Sequence, residues 1–368
     1  MINPTPPPTR LYTLDALRGI AALCVVFWHW QHFFYVGDNP AGYVISNQPF
    51  FQLFAPLYHY GGLAVQLFFS ISGFVFFWLF STGIERRTIS ARRFAVDRFS
   101  RLYPLHIATF VLVATLQWIY VAVHSTYFVY QANDGYHALL NILLIPAWGF
   151  EKGWSFNAPI WSVSVEMLLY LSFFLMCLIG RFKYPLAIAA CALGWYLYPE
   201  QYKLGSGVLC FYIGGITYGV FDAARRQMSS GNACVTMTLL CLTTWVYIAT
   251  SGEVNANAVM CLCFPTTIAA LAAMGHHWPN VLRSSAVLGD ISYSSYLIHF
   301  PLQIVFALIT DGLGFERSVF YQGWTMTAFF VVLIPLSLLC HRHLERPAQR
   351  YLRSQGRHTF ESYRSTRS

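Results

Sequence analysis

About ten apolar runs, each near the ~20 residues needed to cross ~30 Å of hydrocarbon, occupy this sequence almost from end to end. They fall near 14–34, 61–82, 103–123, 159–179, 185–199, 205–221, 233–250, 256–275, 286–310 and 319–340. In lipid every backbone N–H and C=O must find a partner inside the protein, so such runs are helices or strands of a closed barrel. Runs this long, without alternating polarity, are helices. The expected fold class is therefore all-α: a polytopic transmembrane helical bundle. Composition agrees, with 10% charged residues against about 25% in soluble domains. The net charge of +8 would suit nucleic acid if it were clustered. Instead, with the N-terminus inside, all of the 23 Lys and Arg except Lys152, Lys203 and Arg317 fall on the inner side or at its edge. That asymmetry predicts N-in, C-in topology and no nucleic-acid partner.

The stretch 137–150, HALLNILLIPAWGF, is apolar but too short to span, so it is expected to be re-entrant or interfacial on the outer side. The run after MINPTPPPTR lacks a small-residue cleavage site and is expected to remain as an anchor. Residues 1–346 are read as one membrane domain, and 347–368 as a basic, disordered tail. Nine cysteines lie mostly in apolar segments, without CxxC or Cys/His ligand spacing, which predicts neither disulfides nor a bound metal.

Charge inside a spanning segment is costly and marks function by default. The first span, LDALRGIAALCVVFWHWQHFF, carries Asp15, Arg18 and His29. Arg18 and His29 are about three turns apart on one helix face. The competing reading is an Asp15–Arg18 ion pair with His29 bonded to a neighbouring carbonyl. In the second span, LFFSISGFVFF places Ser70, Ser72 and Gly73 where they serve either as a packing seam or as a substrate lining. The following loop holds six arginines between Glu85 and Pro104. Arg98 and Arg101, at i and i+3, share a helix face and suit phosphate oxygens, with Arg93 nearby. A solvated loop meeting anionic lipid heads is the plain alternative. The outer segment 123–158 is rich in Tyr, Trp, Asn and Gly, which fits either a membrane interface or the face of a sugar. It leads into NAPIWSVSVE, where Trp161 begins a span and Glu166 lies within it. A buried carboxylate needs a partner or a proton; His29 is the expected partner, and a protonated structural Glu166 the alternative. Finally, GDISYSSYLIHFPL sets Ser292, Ser295 and His299 in one polar stripe, with Asp290 at its inner end. His299 reads equally as a second catalytic or binding group and as a helix-to-helix hydrogen bond.

Taken together, LDALRGIAALCVVFWH, FFSISGF, RFSRLYP, IWSVSVE, SYSSYLIHFP and LERP resemble the acyltransferase 3 family of integral-membrane enzymes. These O-acylate, most often O-acetylate, bacterial surface glycans and other molecules. The family's arginine, ten-residue gap, histidine pattern falls on Arg18 and His29, and its RxxR pattern on Arg98 and Arg101. The resemblance implies acyl-coenzyme A (acetyl-CoA by default) as donor substrate rather than a resident cofactor. It implies a glycan or lipid-linked sugar as acceptor, as in exopolysaccharide or O-antigen modification, in the bacterial inner membrane. His29 would act as general base or through an acyl-histidine, with Glu166 orienting it and Arg18 holding coenzyme A or Asp15. Arg93, Arg98 and Arg101 would bind the donor. Asp15, Ser70, Ser72, Trp161, Ser292 and His299 are expected to line the substrate path. No extracytoplasmic esterase-like domain, as larger relatives carry, is expected within these 368 residues. A different class remains: a transporter or flippase for a lipid-linked sugar, with Arg18, His29 and Glu166 as a proton relay.

Overall fold

The computed structural model describes residues 10–365, with side chains to Gln355, and is built almost wholly of helices. The Pro-rich start, residues 1–9, lies outside the described residues. Among the described residues, eight helical stretches are long and apolar enough to cross a membrane. Ten were expected, and two local features account for the difference. The first helix, Tyr12–Trp28, has only 17 residues before the chain tightens into the 3-10 helix His29–Phe34. The stretch Ala158–Leu197 holds two helices, Trp161–Ile179 and Lys183–Leu197, divided at Gly180 with φ +73°. That left-handed conformation is open to glycine at little cost. Within 137–150 the helix Gly135–Ile142 ends after 8 residues, about 12 Å of rise and too short to span.

The chain divides into two compact units. The first contains the chain up to Ala21, Gly62–Ile89 and Val165–Ser292. Its tightest packing joins the helices Ala64–Leu79 and Tyr202–Gln227. A Cβ on Gly73 would lie 1.8 Å from the Phe211 carbonyl oxygen, and one on Gly214 would lie 2.0 Å from that of Ser70. The SISGF run is thus a seam where two backbones meet, and Ser70 is fully buried in it. Around the seam pack Leu14, Ile71, Phe74, Phe221, Met237 and Ile268. Gly214→Ala is expected to cost about 1–3 kcal/mol by overpacking, read as an earlier thermal unfolding in detergent. An unchanged midpoint would mean that the two helices separate freely.

The second unit contains Ala22–Gly61, Ser90–Ser164 and the chain from Tyr293 onward. Its core is aromatic: Trp30 is fully buried and donates its indole N–H to the Phe320 carbonyl at 2.9 Å, while Phe33 stacks on Phe320 with centroids 3.7 Å apart. The segment 123–158 is fastened although irregular. Gln117 exchanges two 2.9 Å hydrogen bonds with the backbone of Phe128. Asp134 caps the helix Gly135–Ile142 by accepting from the His137 N–H, and also meets the His137 ring. These bonds, the backbone one foremost, hold the Asp134 carboxyl below its ordinary pKa. The cap is therefore present above the carboxylate range and is lost as acid protonates Asp134.

The described part of the tail is helical. After the π-helix His341–Glu345 the chain continues as the helix Arg346–Ser365, and Arg353 pairs with Asp97 at 2.9 Å. Pro347 does not stop it, because the wider π turn already breaks the α register that a proline would disrupt. All nine cysteines are free thiols.

Candidate active site

The site in the second unit is built where the first helix tightens. A 3-10 helix has three residues per turn, so residues i and i+3 eclipse. His29 and His32 therefore stack, with centroids 4.6 Å apart. Trp30 and Phe33, one position on, meet edge to face and anchor the turn in the core.

From the helix Ala286–Gly312, His299 and Gln303 reach this turn, one turn apart on the same face. His299 Nε2 lies 2.9 Å from His29 Nδ1, with the two rings nearly parallel at 9°. Gln303 is fully buried and donates from Nε2 to the His29 carbonyl at 2.8 Å. Because a carbonyl only accepts, the Gln303 amide is oriented, and its Oε1 faces His32 Nδ1 at 3.0 Å. His32 Nδ1 must then carry hydrogen, leaving Nε2 to accept from the Tyr130 hydroxyl at 3.3 Å. Both nitrogens of His32 are thereby committed. His29 Nε2 is not: it makes no hydrogen bond among the described residues, and His29 is only half-buried.

Pro301 shapes the same helix. It cannot donate to the carbonyl of Leu297, four residues earlier. Asn157, buried in the NAPIW segment, donates to that carbonyl instead at 3.0 Å. Tyr296 donates to the Pro159 carbonyl at 2.7 Å and meets Ser162 at 2.9 Å. Trp161 is buried at the start of its helix beside this clasp.

The arginines expected to meet the donor also belong to the second unit. The helix Ala91–His124 is capped by Ser90, which accepts from the Arg93 backbone N–H. Arg93 itself is exposed, Arg101 half-buried and Arg98 buried at 9% exposure. Burying a guanidinium is unfavourable without anionic or hydrogen-bonding company, which sets Arg98 apart from an ordinary solvated loop.

In the first unit, Glu166 Oε1 accepts from the Ser72 hydroxyl at 2.9 Å and from the Tyr170 hydroxyl at 2.5 Å. Each of the two residues has a partner within its own unit: His29 is bonded to His299, and Glu166 is held by Ser72 and Tyr170. Asp15 is engaged chiefly by Arg10, which also reaches Asp290 at 2.8 Å. Arg18 lies 4.0 Å from Asp15 and donates to Ser292 at 3.4 Å. The Asp15–Arg18 contact of the competing reading is the longer of the two. Ser292 also donates to the Gly289 carbonyl at 2.8 Å.

Sequence reasoning missed His32, Gln303, Tyr130 and Asn157. Two signals pointed to them: the i, i+3 spacing of the histidines at a helix end, and a glutamine one turn beyond His299.

The family model described as an acyltransferase domain matches residues 11–341. The chain is 26% identical to acyltransferase MdmB of Streptomyces mycarofaciens, over 94% of both chains. It is 24% identical to the membrane-bound transacylase BcsY of Komagataeibacter xylinus, over 95% of this chain and 90% of that protein. A shorter match, 36% identical over 29% of this chain, is to protein 2 in the picA locus of Rhizobium radiobacter, of which it covers 46%. No solved structure matches the chain.

Proposed function

The chain belongs to the acyltransferase 3 family, and on that premise we propose that it transfers an acyl group, acetyl by default, from acyl-coenzyme A to a hydroxyl of a glycan or lipid-linked sugar. The observation that carries this reading is the state of His29. One ring nitrogen is held by a buried partner, while the other is unbonded and reachable. That is the arrangement a general base needs.

In the proposed step His29 Nε2 takes the proton of the acceptor hydroxyl as its oxygen attacks the thioester carbonyl. The new C–O bond forms, the C–S bond breaks, and the departing sulfur leaves as coenzyme A after receiving a proton from the imidazolium. Arg98 and Arg101, with Arg93 at the rim, would hold the phosphates of the donor on the cytoplasmic side of a bacterial inner membrane. Arg18 and Glu166 enter this reading through the family pattern. Their bonds to Ser292, Ser72 and Tyr170 say how each is held. The relative named BcsY, a transacylase, supports group transfer rather than transport.

The test is transfer of labelled acetyl from acetyl-coenzyme A to a panel of glycan acceptors by purified protein in liposomes. An ester product dependent on the wild-type chain is expected. Transport of a lipid-linked sugar without any ester would overturn the reading.

A further inference from the structure

We propose that His299 is a positioning residue that selects the tautomer of His29, so that the catalytic base is a pair of imidazoles rather than a histidine held by a carboxylate. The inference rests on His29 being the base. It goes beyond that reading by assigning what makes the base competent.

The argument starts at the far nitrogen of the pair. His299 is fully buried, and its Nδ1 has no hydrogen bond among the described residues. The backbone carbonyls of Tyr296 and Ser295, one turn earlier on the same helix, interact with the His299 ring, and because Nε2 is turned to His29, we assign them to the Nδ1 side. Their alignment falls short of a hydrogen bond, but a carbonyl has lone pairs only. A bare ring nitrogen turned toward them would set lone pair against lone pair, whereas an N–H there is attracted. His299 Nδ1 therefore carries the ring hydrogen, and in the neutral ring Nε2 is an acceptor. The nitrogen 2.9 Å away, His29 Nδ1, must then donate. A neutral His29 with hydrogen on Nδ1 has its lone pair on Nε2, the nitrogen that is reachable and unbonded.

The opposite tautomer would leave the base useless. Hydrogen on His29 Nε2 would point a donor at the acceptor hydroxyl, and no proton could be taken. Gln303 adds to the constraint by holding the His29 carbonyl, so that the ring pivots on a fixed backbone. The stacked His32 has both nitrogens engaged by Gln303 and Tyr130 and does not compete for His299.

The pair also governs the proton after it is taken. With Nε2 protonated, His29 is an imidazolium whose Nδ1–H still points at His299 Nε2, so the charge is shared across that bond. A second proton would set two imidazolium ions 2.9 Å apart, which like-charge repulsion opposes. The pair thus holds one proton per turnover, and releases it to the departing sulfur.

The experiment compares wild type, His299→Ala, His299→Gln and His29→Ala by steady-state acetyl transfer, and by 15N spectra of histidine-labelled protein in micelles. His299→Ala should lower kcat on the order of 10- to 100-fold, the scale seen when the partner orienting a metal-bound imidazole is lost, with KM for donor and acceptor unchanged. His299→Gln should recover part of the loss, since its amide oxygen can accept from His29 Nδ1. In wild-type spectra, the His29 resonances, assigned by their absence in His29→Ala, should show hydrogen on Nδ1 and a bare Nε2. In His299→Ala they should show a mixture of tautomers. If His29→Ala is inactive but His299→Ala transfers at the wild-type rate with the same His29 tautomer, the pair is overturned and His29 as base stands. If His29→Ala is itself active, it is the base reading that fails. Should His299→Ala not fold, His299→Gln decides: a bare Nε2 with partial activity supports the pair, and wild-type kcat with hydrogen on Nε2 overturns it.

Discussion

His29→Ala is expected to reduce acyl transfer by a factor of about 100 to 10,000, the usual contribution of a positioned general base. Donor binding and the folded state should be largely intact. The expectation of retained folding follows from where the side chain sits. His29 is half-buried and, among the described residues, its ring hydrogen-bonds only to His299, whereas the 3-10 turn is anchored independently by Trp30, Phe33 and the Gln303 bond to the backbone. Loss of the imidazole therefore leaves the turn its main supports. A transporter would respond differently: the variant would stop translocation, and no ester would form from labelled acetyl-coenzyme A even with wild type. Near-normal transfer by a folded His29→Ala protein would remove His29 from the chemistry.

Replacing Arg98 and Arg101 together by alanine should weaken acetyl-coenzyme A binding by about 100-fold or more. Each charge-assisted hydrogen bond to phosphate contributes about 1.5–3 kcal/mol, so losing two is a large effect. Arg98→Lys should restore only part of it, because an ammonium cannot form the two parallel bonds of a guanidinium. The buried position of Arg98 and the half-buried Arg101 separate this expectation from a general charge effect. Exposed Arg93→Ala should weaken binding less, and raising salt should reduce that smaller contribution most. Equal donor affinity in the folded double variant would return these arginines to a role at the lipid surface.

The first-order features of this protein were legible because they are local. Apolar length announces the helices, eight of which are long and apolar enough to cross a membrane among the described residues. Gly180 illustrates that reading. Its left-handed φ divides one apolar stretch into two helices, and the short second helix was already visible as a short run. The tail shows where that reading stops. Its composition resembles a disordered segment, and only the π-helix before Pro347 and the Arg353–Asp97 pair show a helix that docks.

The site divides along the same line. Sequence alone determined that His29 and His299 were polar groups in expensive positions, since cost in hydrocarbon is a property of each residue by itself. It could not pair them. Their bond joins positions 270 residues apart, and nothing in periodicity or composition carries information over that distance. Sequence reasoning therefore chose Glu166 for His29, on the sound principle that a histidine seeks a carboxylate. Only the tertiary structure shows the bond to His299, which forms because two other local facts converge in space: a 3-10 turn eclipses His29 and His32, and a helix face places Gln303 one turn from His299. Which side chains meet is set by how helices cross, and crossings depend on contacts between distant segments, such as that of Gly73 with Phe211 within the first unit.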